Sequence, residues 1–277
     1  SVTVNLIGEG SDELFAGYNR YHAYAPKPKY SSVYEESEFN KKWWQDFKKY
    51  NDMNVNEKID MITSGYFNDK RERNSIFTAG ILGAMPKNST VEGSFGKILR
   101  ETDKENYLNA ALCFETKTSL PGVQLIKLDR LPMASSLEVR APYLDYNIAE
   151  FGMEIPPMLK WNGLNKKYII QKVAAEFIPK EIFLRRKLPF QVPLADYFKK
   201  DFMYITQQLL SNKSMAKRDY IKHGSITKLL NRFKSNPNIA DNSLRQLLFL
   251  ANIELWQRMF IENDNIRNPS MDINDYI

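Results

Sequence analysis

Residues 5–21, NLIGEGSDELFAGYNRY, set Glu9, Asp12 and Glu13 among Gly8, Gly10 and Gly17, directly after an apolar run. Gly8 and Gly10 let the backbone approach a phosphate closely, and a turn that opens a helix aims N–H groups at it. Carboxylates beside phosphates repel unless a cation bridges them. Mg²⁺, which takes a carboxylate or two together with phosphate oxygens, removes the conflict. A plainer account stands beside this one, with Ser11 or Asp12 as a helix N-cap and Glu13 as a first-turn acid favoured by the helix dipole. Glu9 lies between two glycines ahead of the helix and has no such ready explanation.

The elements that must position these groups follow from hydrophobic pattern. VTVNLI is a continuous, partly β-branched apolar run and predicts a strand buried on both faces of a parallel sheet. The glycine turn then sits at the strand's C-terminal edge, where open α/β sheets bind ligands. No other stretch reads as strongly as a strand. The rest carries helical spacing, including DELFAGYNRYHAY, NKKWWQDFKKY, ENYLNAALCFETKTSL, VQLIKLDRL, NKKYIIQKVAAEFI and SLRQLLFLANIELWQRMFI. Residues from about 25 to 105 read as an inserted helical subdomain, and those after about 262 as a loose tail.

Composition limits the function classes. The chain has 277 residues, 43% hydrophobic and 26% charged, enough for one large domain or two small ones. Its net charge of +6 is dispersed and interleaved with acids, which argues against nucleic-acid binding and is equally suited to a small anionic substrate. No apolar run reaches the length of a membrane span and no signal segment opens the chain, so the expected location is cytoplasmic. A lone Cys113, with only His22 and His223, leaves no internal disulfide and no metal site of Cys/His type. SVTVNLI lacks an initiator methionine and reads as the interior of a longer protein.

Three blocks resemble the synthetase domain of glutamine-hydrolysing asparagine synthetases. They are GEGSDELFAGY, then LPGVQLIKLDRLPMASSLEVRAPYLD at 120–145, then KKYIIQKVAAEFIPKEIFLRRKLPFQVPLADYF at 166–198. Their order over most of the chain is far more specific than one glycine motif. The resemblance implies an α/β fold with a parallel sheet of the ATP-pyrophosphatase (adenine nucleotide alpha hydrolase-like) type, predominantly helical in this part. It also implies that aspartate is activated by MgATP as β-aspartyl-AMP and then amidated by ammonia from glutamine, so ATP and Mg²⁺ are the expected cofactors.

Carried over by position, Asp12 is the metal-binding aspartate and Glu9 the base that takes a proton from attacking ammonia. Gly8, Gly10 and Ser11 lie beside the nucleotide. Lys167 is the lysine that neutralises developing phosphate charge, though Lys166 and Lys172 stand close and a solvated helix face would explain all three. Lys187 in RRKLPF is a candidate pyrophosphate contact, with the same plainer account open to Arg185 and Arg186. Asp129, on an otherwise apolar helical stretch, needs either a partner such as Arg130 or Arg140, or a job orienting substrate or base. Glu138 and Arg140 read as a structural ion pair.

The chain departs from the family pattern in three ways. It contains no glutaminase domain and no loop of SGGxDS type, so these residues alone are expected to be inactive. Ile7 stands where the family often has serine, and the segment between Tyr21 and Leu120 is long. Expected partners are aspartate, ATP, ammonia and a glutaminase domain of the parent chain, with a homodimer left open. Two rivals remain: an adenylating enzyme that closes a ring with an internal amine, in which tyrosine stands at the position of Glu9, and a non-catalytic fragment that binds a partner.

Overall fold

A computed structural model of the chain describes residues 2–26, 45, 47–63, 70–85, 91–163, 165–183, 202–215, 217–235, 242–262 and 275. They form two compact units, one from Ser1–Ile62 and Val91–Lys187, the other from Thr63–Thr90 and Leu188–Ile277. The segment from about 25 to 105 contributes to both. Trp43, Trp44, Lys187 and nearly all of the tail lie outside the described residues.

In the first unit, strand β1 (Val4–Leu6) pairs in parallel with β2 (Glu138–Arg140), matching Val4 to Glu138 and Leu6 to Arg140. The Ile7 N–H extends the ladder to the Arg140 carbonyl at 2.9 Å, so position 7 contributes backbone to the sheet. This pairing lays LEVRAP beside GEGSD, although LEVRAP carries no strand signal that the sequence reading recognised. The expected burial of β1 is not found: Val4 is 44% and Leu6 67% exposed. Among the described residues the strand has one partner, and a two-stranded ribbon leaves both faces open.

The glycine turn leads into α1 (Ser11–Phe15), a single turn of helix. The helix expected to run on to Tyr24 stops because Ala16 adopts φ +60, and a 3₁₀ segment, Asn19–Tyr24, follows Gly17. Behind it lies α2 (Tyr107–Lys117), whose Leu108, Ala111 and Leu112 are fully buried against Tyr21, Phe95, Leu99 and Trp161. A π-helical stretch, Leu120–Leu125, then opens into α3 (Ile126–Met133), which carries Pro132 within it. α4 (Tyr146–Glu154) is capped by Asp145, whose Oδ1 accepts from the Asn147 N–H at 3.0 Å. α5 (Pro157–Lys160) runs into a hairpin of β3 (Trp161–Asn162) and β4 (Asn165–Lys166), and α6 (Tyr168–Ala174) starts directly after it.

That hairpin is tightly anchored. Trp161 is buried, stacks on His22 at 5.8 Å and donates its indole N–H to the Gly163 carbonyl at 2.7 Å. Fully buried Lys160 donates to Asn109 Oδ1 at 2.7 Å, and the Asn109 amide bonds the carbonyls of Met153 and Ile155.

The second unit packs the helices Lys70–Ile76, Met203–Leu209, Ser225–Ser235 and Ser243–Trp256 around Ile76, Leu209, Phe233, Leu247 and Leu250. Arg218 forks onto both Glu254 oxygens at 2.7 and 2.8 Å, which satisfies a charge pair that would be costly to leave half-made. Among the described residues no helix is long and apolar enough to cross a membrane.

Candidate active site

The turn from Gly8 to Gly17 is held by contacts that span the sequence. Gly10 adopts φ +88, and a Cβ there would stand 2.1 Å from Leu144 Cδ2, so both backbone and packing demand glycine. Leu144 belongs to the APYLD run of the second sequence block. Ser11 caps no helix; its hydroxyl donates to the Gly8 carbonyl at 2.8 Å, and Gly10 occupies the N-cap position without a side-chain bond. Because α1 has only five residues, any phosphate would meet the N–H groups of the turn rather than a developed helix dipole. A Cβ on Gly8 would meet no atom within 4 Å, so that side of the turn is open.

The third block arrives through Lys167. Its backbone takes φ +49, uncommon for a residue with a side chain. Its Nζ donates to Ser11 Oγ at 2.8 Å and pairs with Asp12 Oδ1 at 2.9 Å, both partners of the ion pair being 22% exposed. The neighbouring lysines go elsewhere: Lys166 bonds Asn19 and lies over the Trp161 ring, and Lys172 lies over Tyr168. Geometry thus singles out Lys167 among three lysines that pattern alone could not separate.

Gly17 completes this arrangement and was not singled out from sequence. A Cβ on it would stand 1.6 Å from Asp12 Oδ1 and 2.4 Å from Lys167 Cε, so its bare Cα is the floor beneath the ion pair. The signal was present in the FAGY run that follows the acids.

Glu9 is half-buried, and its carboxyl is raised above the usual range, first by desolvation and then by Glu13 and Asp12. Lys127 and Lys167 pull the other way. A carboxylate raised in this manner is a better proton acceptor near neutral pH. Glu13 stands in the first turn of α1 but is 1% exposed, and its Oε1 accepts from the Tyr18 hydroxyl at 2.6 Å. Burial, followed by the Glu13 bond, pushes the Tyr18 phenol well up.

Asp129 corrects another expectation. It is exposed, as are Ile126, Leu131 and Met133 on the same helix, so no buried charge demands a partner. The charge on α3 that acts on Glu9 is that of Lys127; two residues on, Asp129 lies about 200° around the helix from it. The anticipated pair of Glu138 and Arg140 is present at 2.8 Å, on the surface. Among the described residues no three His, Cys, Asp or Glu side chains are placed to hold a metal ion by themselves.

A family model described as asparagine synthase matches residues 1–258. The chain is similar to asparagine synthetase [glutamine-hydrolyzing] 1 of Bacillus subtilis (strain 168), 25% identical over 268 residues that cover 94% of this chain and 41% of that protein. A putative asparagine synthetase of Mycobacterium tuberculosis (strain ATCC 25618 / H37Rv) is 23% identical over 270 residues, 95% of this chain and 40% of that protein. Amidase chyE of Penicillium rubens is 26% identical over 217 residues, 69% of this chain and 32% of that protein. The chain therefore spans about two fifths of the length of the first two relatives. No solved structure matches it.

Proposed function

The chain belongs to the asparagine synthase family, and from that membership we propose that it carries part of a site for ATP-dependent amidation of aspartate. The observation that supports this best is the meeting of Lys167 with Ser11 and Asp12 at 2.8 and 2.9 Å, across 156 residues of sequence. It joins the first and third sequence blocks at one point, beside an open backbone turn. We read the β1–β2 pair as belonging to a parallel sheet of the ATP-pyrophosphatase type.

In this reading the substrate carboxylate attacks the α-phosphorus of ATP, and pyrophosphate leaves. Lys167 stabilises the charge that develops on the phosphates, an electrostatic role suited to a positioned ammonium. The N–H groups around Gly8, Gly10 and Ser11 face the nucleotide, and Lys187 is assigned to pyrophosphate. The donor set fits Mg²⁺: Asp12 offers one partly exposed carboxylate that would hold the ion beside the phosphates. When bound, Mg²⁺ supplies neutralisation of phosphate charge. Ammonia, delivered by a glutaminase domain, then attacks the acyl carbon, and Glu9 takes the proton as AMP departs.

The test is formation of AMP and asparagine from MgATP, aspartate and ammonium by the full-length protein and its Glu9→Gln variant. Asparagine from the wild type and AMP without asparagine from the variant support the proposal. The likeness to a fungal amidase favours a second reading, the same activation applied to another acid; AMP without asparagine from the wild type would select it. Neither product, with ATP still bound, would select the partner-binding role.

A further inference from the structure

Lys160 is the most enclosed cation among the described residues, with no measurable exposure. Burial is the one influence on its amine and pushes it down, so no neighbouring carboxylate compensates the charge. An apolar side chain of similar size would be easier to enclose there, and stability does not account for the lysine. What the ammonium supplies is direction. Its Nζ donates to Asn109 Oδ1 at 2.7 Å, and because an ammonium can only donate, the Asn109 amide is turned with Nδ2 toward the carbonyls of Met153 and Ile155, at 3.3 and 3.2 Å. One side chain of α2 thus holds both the end of α4 and the start of the β3–β4 hairpin.

From that bond the chain runs directly to Lys167. Lys160 is followed by Trp161, Trp161 pairs with Lys166 across the hairpin, and Lys166 precedes Lys167. Where Lys160 is held on α2 therefore decides where Lys167 begins α6. The other half of the meeting is referred to the same helix: Glu115 of α2 pairs at 2.8 Å with Arg20, just beyond the turn that carries Ser11 and Asp12. Lys167 also keeps a left-handed backbone, φ +49, which a residue with a side chain holds only when its surroundings impose it. We propose that Asn109 and Lys160 are positioning residues, whose bond sets the reach of Lys167 Nζ to Ser11 and Asp12. The proposal rests on the amidation reading for what Lys167 does there, and on packing alone for where it stands.

The test is a double-mutant cycle on this chain, Asp12→Asn with Lys167→Met, read from urea unfolding near pH 7 without ATP, in the wild type and again in a Lys160→Met background. In the wild type the pair should contribute a factor of about five to the unfolding constant, as a well-placed, partly exposed ion pair does. In Lys160→Met that factor should fall to about one, although only a neutral amide oxygen has lost its donor. Asn109→Asp separates the two roles of the amide, because it keeps an acceptor for Lys160 and takes the donor from Met153 and Ile155. It should lose stability and retain the coupling, whereas a purely structural role leaves the coupling unchanged in every variant that folds. If Asn109→Asp does not fold, Lys160→Met carries the test. The same coupling in wild type and Lys160→Met, or none in either, overturns the proposal. No chemistry is measured, so failure here leaves the amidation reading standing, and absence of asparagine formation leaves this result standing.

Discussion

Replacing Gly17 with alanine should disable the site by displacing Asp12 and Lys167 while leaving both residues in place in the sequence. The new methyl would stand 1.6 Å from Asp12 Oδ1 and 2.4 Å from Lys167 Cε, so the carboxylate must retreat by about 1.4 Å before the contact opens to 3.0 Å. A displacement near 1 Å in a positioned group costs roughly 10²-fold in rate, about 2.7 kcal/mol at the barrier. Stability changes less. At 2.9 Å and an effective dielectric near 20 the gross attraction of the ion pair is about 6 kcal/mol, but desolvation and solvent screening of two partly exposed groups leave on the order of 1 kcal/mol. The assay is AMP formation by full-length protein from MgATP and aspartate across a Mg²⁺ titration, with melting midpoints alongside. Gly83→Ala, on a helix with open space around its Cα, serves as the control and should leave AMP formation and the Mg²⁺ requirement unchanged, with a midpoint equal to or slightly above wild type. Wild-type turnover and an unaltered Mg²⁺ requirement in Gly17→Ala would refute the placement of Gly17 beneath a working Asp12–Lys167 pair.

Other outcomes follow from the same geometry. Lys167→Met should lower AMP formation by roughly 10²–10³, the usual cost of removing one positioned charge-stabilising donor, whereas Lys166→Met should leave it near wild type. Because the Glu9 carboxyl is raised in the folded state, its ionisation costs stability that is fully retained only below the ordinary carboxylate range. Glu9→Gln should therefore melt higher than wild type at pH 7 and lose that advantage in acid, while asparagine formation fails; a lower midpoint at neutral pH would contradict this. Burial lowers Lys160 from 10.5 to about 8, so the unfolded chain binds the extra proton and wild-type stability should climb as pH rises from 8 toward 10.5. Urea midpoints at pH 7.5 and 9.5 should show that climb by on the order of 1 kcal/mol or more, and Lys160→Met should shrink it, leaving the share of Lys58, which burial also lowers to about 8.

Sequence alone determined the inventory and much of the order. GEGSD marks a turn that needs glycine and presents acids, and the long helices of both units are legible from periodic apolar residues because a helix stripe is local information. The blocks at 120–145 and 166–198 are legible as blocks. How they meet is not, since pairing between residues more than a hundred positions apart leaves no mark in either partner. Only the fold showed that the extended LEVRAP run pairs with β1, that Leu144 closes on Gly10, and that Lys167 rather than Lys166 or Lys172 reaches Asp12. The choice among the lysines depends on one left-handed residue after a hairpin anchored by Trp161 and Lys160, a geometry that helical spacing does not encode. Burial was misread in both directions for the same reason. β1 and Asp129 looked buried from apolar neighbours yet are exposed, and Glu13, read as a first-turn acid serving the helix dipole, is enclosed and bonded to Tyr18, because a side chain's surroundings are set by elements far along the chain.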